Sequence, residues 1–224
     1  MKNLFLAPLL FMFMVNIFLP PLKAQMSGEV VYKRTWVEDD KFYFDTLRFN
    51  GPELLYIEKR QKRQWRTPEG YIIYIPYANR SRYIHQHSME YIDQRYNDKK
   101  KQYELKTGEA PKYEWTLDNE YKTIGNYKVQ KATASVTFVE GDTGTVIAWF
   151  TTDIPVSGGP YFTWGLPGLI IEMTIKNHIK GTYTMESITM KPVDTLKPKE
   201  GVWVQSGTGK DKGKLRDLLN KDGN

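Results

Sequence analysis

Apolar and polar side chains take turns along the chain from residue 113 to residue 190. Ala132, Ala134, Val136 and Phe138 fall on one side of an extended segment, and Thr133, Ser135 and Thr137 on the other. That period of two is the mark of a half-buried antiparallel strand. Similar reading predicts strands over residues 29–37, 54–57, 71–75, 127–139, 146–151, 169–175 and 183–190, with Phe42, Phe44, Leu47 and Phe49 continuing in extended style. Reversals are expected at Asn50-Gly51-Pro52 and Gly125-Asn126, because Gly and Asn tolerate the positive φ of tight turns, and over residues 140–144. Residues 78–105 fit a helix or a strand equally well, since Ile84, Tyr91 and Arg95 share a helical face while Tyr91, Asp93 and Arg95 alternate with Ile92 and Gln94. Eight to ten short strands imply a mostly β fold with few helices, an antiparallel sheet forming an open half-barrel or a sandwich.

The first 24 residues follow another pattern. Lys2 precedes an apolar run over residues 4–19, Pro20-Pro21 ends it, and Leu22-Lys23-Ala24 places a small residue before Gln25. The run is shorter than the roughly 20 residues of a spanning helix, so residues 1–24 are expected to be a cleaved signal peptide. The protein is then exported, to the periplasm or the cell exterior, with no transmembrane span after cleavage. Residues 25–206 read as one β-rich domain and residues 207–224 as a flexible basic tail.

Composition narrows the chemistry. The net charge is +6, of which Lys2 and Lys23 leave with the signal, and charges of both signs are interleaved. A nucleic-acid binder would gather its charge into a stripe, so no nucleic-acid partner is expected. No cysteine is present, which removes disulfides, thiolate metal sites and cysteine nucleophiles. Residues 59–66 hold five basic side chains and one Trp, expected as a solvated loop or hairpin tip. They offer one route to an anionic polysaccharide or lipid.

Residues 149–173 carry the densest pattern. Leu166-Pro167-Gly168-Leu169 fits a type II turn with Pro second and a positive-φ Gly third. Gly158-Gly159-Pro160 bends the chain just before, and Tyr161, Phe162 and Trp164 lie between the bends. One reading is a corner that covers the core with aromatics. The other is the mouth of an apolar pocket, formed by Trp149, Pro160, Tyr161, Phe162, Trp164, Gly165, Leu166, Pro167, Gly168, Leu169 and Ile170.

The hexapeptide Gly165-Leu166-Pro167-Gly168-Leu169-Ile170 resembles the signature of the GLPGLI family of exported Bacteroidota proteins. Trp115, Leu117, Ile124-Gly125-Asn126-Tyr127, Gln130-Lys131-Ala132, Ala148-Trp149-Phe150, Ile154-Pro155 and Gly159-Pro160 extend the resemblance in order. It covers about a third of the mature chain. Asn126 stands where such families carry Gly, and Val129 where they carry Cys. The resemblance implies export and no established activity.

Catalytic, cofactor and metal sites are not expected. His85 and His87 have usable strand spacing for a metal, but a third ligand such as Glu90 or His178 would be needed. Asp153 and Glu172 form a carboxylate pair of the type that hydrolases use. With His85 they make a weaker alternative, an exported hydrolase. Ser157 has no adjacent base, and residues 207–214 lack the spacing and following hydroxyl of a phosphate loop. The favoured expectation is an exported, non-enzymatic envelope protein that binds an apolar ligand, an extended peptide or an outer-membrane protein partner. Its oligomeric state is not legible, and a purely structural role is the remaining alternative.

Overall fold

A computed structural model describes residues 26–36, 39–58, 63–66, 72–75, 80–137, 143–176, 181–194 and 196–204. The strands are β1 (Ser27–Trp36), β2 (Asp39–Asn50), β3 (Glu53–Glu58), β4 (Arg63–Arg66), β5 (Ile72–Ile75), β6 (Arg80–His85), β7 (Glu90–Asn97), β8 (Gln102–Thr107), β9 (Thr116–Ile124), β10 (Tyr127–Thr137), β11 (Thr143–Thr151), β12 (Leu169–Lys176), β13 (Gly181–Met190) and β14 (Val202–Trp203). Twelve of them form one open sheet in the order β14-β8-β7-β6-β3-β2-β1-β13-β12-β11-β10-β9, and β4 pairs with β5 apart from it. The mostly β class read from the sequence stands, as a single sheet that does not close. All neighbours are antiparallel except β14 and β8.

Glycine turns set these hairpins. Gly51 (φ 55°) joins β2 to β3, and Gly125 (φ 56°) opens the two-residue loop between Ile124 and Tyr127. The undecided stretch resolves into strands β6, β7 and β8. Its period was unclear because both faces are covered. Arg82, Ile84 and Asp93 are buried on one side, and Tyr83, Ile92 and Leu105 on the other, beneath Leu196 of the C-terminal crossing.

The expected face of β10 is also found, with Ala132 and Ala134 buried, Val136 half-buried, and Thr133 and Ser135 more open. Register shifts interrupt the ladders at Val31/Tyr32, Gln130/Ala132 and Trp149/Phe150. Such bulges re-aim side chains and bend a wide sheet.

The 152–168 connection between β11 and β12 forms a strap across the sheet. Its Ile154, Val156 and Phe162 pack with Val30, Tyr32, Leu47, Phe49, Leu54, Tyr56 and Ile84 from β1, β2, β3 and β6. Its Leu166 belongs to a second cluster with Ala132, Val146, Ala148, Phe150, Ile170, Met173, Ile175 and Tyr183. Gln86 Nε2 and Arg82 Nη1 donate to the strap carbonyls of Ser157 and Tyr161, at 2.5 and 3.4 Å. Tyr32 Oη donates 2.8 Å to Ile170 O.

Of residues 59–66, Arg63–Arg66 form β4, paired with β5, and 59–62 lie outside the described residues. The signal segment 1–24, His178 and the tail 207–224 lie outside them as well.

Candidate functional site

The motif residues divide between core and surface. Pro160, Phe162, Leu166, Gly168, Leu169 and Ile170 are buried, Trp149, Tyr161 and Trp164 are half-buried, and Gly165 and Pro167 are exposed. The buried apolar members fill the two clusters beneath the strap. Trp149 lies under the ammonium of Lys122, 4.2 Å from its ring centre, and Lys122 bonds Glu172 at 2.7 Å.

The expected type II turn is not formed, because Gly168 lacks a positive φ; that conformation belongs to Gly165 (φ 99°). Gly168 is needed for space, since a Cβ there would lie 1.9 Å from Thr151 O. Tyr161 and Phe162 are also left-handed, at φ 54° and 66°. Each such residue costs about 1–2 kcal/mol. Burial of Phe162 against Tyr91, 5.4 Å between ring centres, offsets this, as does the Arg82 guanidinium 5.0 Å from the Tyr161 ring.

A cleft of about 830 Å³ opens beside the strap, between residues 111–118 and Thr133–Val136 of β10. Pro111, Lys112, Glu114, Trp115, Thr116 and Asp118 form one wall, and Thr133, Ala134, Ser135 and Val136 the other. Two reciprocal hydrogen bonds clamp the first wall to the motif. Trp115 Nε1 donates to Trp164 O at 2.9 Å, and Trp164 Nε1 donates to Pro111 O at 2.8 Å. Tyr113 stacks on Trp115 at 5.5 Å, and burial raises its hydroxyl pKa. On the floor, Asp118 accepts from Thr133 Oγ1 (3.2 Å) and faces Lys131 Nζ (3.6 Å). The motif therefore braces a cleft wall that other residues supply. A smaller recess of about 360 Å³ lies where residues 124–127 meet Ile171 and residues 185–188.

Beneath the strap runs a buried ionic network. Arg34 faces Asp45 (3.3 Å), Tyr56 Oη donates to Asp45 (2.8 Å), Arg82 pairs with Glu58, and Arg80 holds Asp93 through two bonds of 2.8 and 2.9 Å, with Arg95 at 2.9 Å. Burial works against the charge of Arg34, and Asp45 more than restores it. Burial and then the Asp45 charge push the Tyr56 hydroxyl well up, so it stays a donor. Burial likewise opposes ionisation of Asp93, but Arg80 and Arg95 outweigh it and hold the carboxyl below its ordinary value. The Arg34–Asp45 and Arg82–Glu58 pairs are sealed from solvent or nearly so, Arg80 and Arg95 lie towards the rim, and the network ties β1, β2, β3, β6 and β7 together.

The weaker catalytic candidates go separate ways. Glu172 is held by Lys122, Asp153 is exposed, and His85 Nδ1 accepts from Ser88 N at 3.2 Å. His85 and His87 contact each other edge to face. Among the described residues no group of three or more His, Asp or Glu side chains is placed to hold a metal ion. Ser157 Oγ accepts from Gly165 N and is spent on the strap.

Sequence reading missed the cleft wall and the ionic network. Arg34, Asp45 and Glu58 were legible in one respect: each stands in phase with the inward apolar residues of its strand, where a charge signals a buried partner.

Comparison with known proteins bears on kinship and fold. Residues 136–172, which contain the 165–170 hexapeptide, match a family model described as a protein of unknown function (Porph_ging). No curated protein matches the chain. Two solved structures of PNGF-II, in C2 and P21 crystal forms, are similar in fold. Each has a TM-score of 0.56, with 16% and 14% identity, over 85% of this chain. The chain spans 33% of the length of those structures. At that identity the likeness speaks to the β architecture alone.

Proposed function

We propose that the chain is exported and works in the cell envelope as a non-enzymatic binding protein, using the cleft between residues 111–118 and β10. The observation that carries this reading is the clamped wall. The motif spends the indole N–H and the backbone carbonyl of Trp164 on fixing residues 111–115 opposite β10, and a wall held open in advance is what preorganised recognition needs. The cleft sets the single aromatic ring of Trp115 and the apolar Pro111, Ala134 and Val136 beside charged and hydroxyl groups, and such polar groups fix the orientation of a bound molecule. Export is supported by the n-region, apolar run and Ala24 of the leader, and by the resemblance to the exported GLPGLI family. Among the described residues no helix is long and apolar enough to cross a membrane.

The test is to recover the mature protein from the envelope of a cell that exports it and to identify its bound components by mass spectrometry, alongside Trp115→Ala. A stoichiometric component that is lost in the variant, with a mature chain beginning at Gln25, is the expected result. A folded protein that carries nothing, and in which Trp115→Ala changes nothing, would leave a structural role.

A further inference from the structure

The β9–β10 ladder stops early. Thr133↔Thr116 is its last pair, while β10 continues to Thr137 and pairs with β11 as far as Thr143. Among the described residues no strand faces residues 134–137 on the β9 side. The cleft occupies that place. Successive residues of a strand send their N–H and C=O groups to opposite sides, so every second residue there turns both groups toward the cleft. An open edge of this type is a template for another strand.

The side chains around the gap state what fits it. Ala134 continues the inward row of β10 from Ala132, and Val136 and Trp115 pack half-buried against the second core cluster. That cluster is thus incompletely covered where the ladder ends. The other side presents Thr133, Ser135 and Asp118. Lys131 balances Asp118 and Glu120, whereas Lys112 and Glu114 in the cleft wall have no ion-pair partner among the described residues.

We infer that the cleft binds an extended polypeptide of a partner protein, added as a strand along residues 134–137 of β10. The incoming strand alternates. Apolar side chains point at Ala134, Val136 and Trp115, and polar ones at Thr133 and Ser135, with a basic side chain meeting Glu114. Backbone bonding supplies affinity, and the alternating pockets supply selectivity. This inference rests on the cleft being the binding site.

The experiment uses the mature chain and a random-peptide library displayed on phage, followed by amide hydrogen exchange with the selected peptides. Expected are peptides of alternating apolar and polar residues with a basic position. Bound, they slow exchange of alternate amides in residues 134–137 by about tenfold or more. Glu114→Gln weakens the basic peptides about two- to fivefold, as an exposed ion pair allows. Ser135→Pro and Val136→Pro separate binding from folding. One of the two N–H groups faces β11 and the other the cleft, so one variant retains cooperative unfolding and loses the peptide.

Peptides that bind without alternate-amide protection would overturn strand addition while leaving the cleft as the binding site. So would enrichment of no peptide from a protein that carries a small molecule sensitive to Trp115→Ala. Protection already present in the free protein would overturn a partner origin. If it disappears on truncation after Val204, the strand comes from the tail of this chain; if it grows with protein concentration, it comes from a second copy.

Discussion

Gly168 lies so close to the end of β11 that a single methyl group would strike the carbonyl of Thr151, whereas a methyl group on Gly125 would meet nothing within 4 Å, and that glycine is needed only for its φ of 56°. The two glycines should therefore respond differently to alanine. Gly125→Ala is expected to cost about 1–2 kcal/mol, the ordinary left-handed penalty. Gly168→Ala is expected to cost about 3 kcal/mol, because backbone must move. Urea denaturation of the two variants measures the difference, and equal losses would contradict the packing assignment. Asp93 makes a pH prediction. Its carboxyl is held below the ordinary value of 3.8, so its ion pairs contribute fully above that pH and are lost as pH falls through the lowered folded value. Asp93→Asn should flatten the acid limb of a stability-against-pH curve and lower the plateau at neutral pH. At this scale the sequence pointed to a positive φ at Gly168, whereas the structure puts that torsion at Gly165 and needs Gly168 for space. Which one needed a torsion and which needed space depended on Thr151, a neighbour the local pattern does not contain.

The strap, whose one regular piece is a 3-10 turn over Pro160–Phe162, shows how a largely irregular segment can organise the elements around it. It reaches β3 and β6 through Gln86, Arg82 and buried Phe162, and reaches the cleft wall through Trp164 and Trp115. Trp115→Phe and Trp164→Phe each remove one N–H donor from the clamp and should each cost about 1 kcal/mol. Because both bonds hold the same two segments, the double variant should lose less than the sum, with a coupling of about 0.5 kcal/mol or more in a double-mutant cycle. Strict additivity would mean that the two bonds are independent. The strands themselves were readable where one face is dry and the other wet, as along β10. They were unreadable in β6, β7 and β8, where the strap covers one face and Leu196 the other, and no contrast remains to mark a period. The cleft was unreadable for a related reason: its walls are separated by about twenty residues of hairpin, and neither wall has unusual chemistry alone.

The whole molecule is held by pairings between distant parts of the chain. β1 lies between β2 and β13, joined to β13 from Gly28↔Met190 to Trp36↔Gly181. Removal of β13 would open the sheet at its middle, strip cover from Tyr32 and Arg34, and expose two long edges. A chain ending at Ile175 should lose cooperative thermal unfolding, while the full-length chain keeps it. Calorimetry distinguishes these outcomes. Mostly β architecture was legible in the turns and alternation, but strand order was not, since nothing near residue 30 names residue 188 as its neighbour.

That central seam bears on how the protein is made. The N-terminus leaves the ribosome first, so β1 must wait for β13 before the two can meet. Among the described residues only β14 follows β13 in the chain, so the middle of the sheet is joined almost at the end of synthesis.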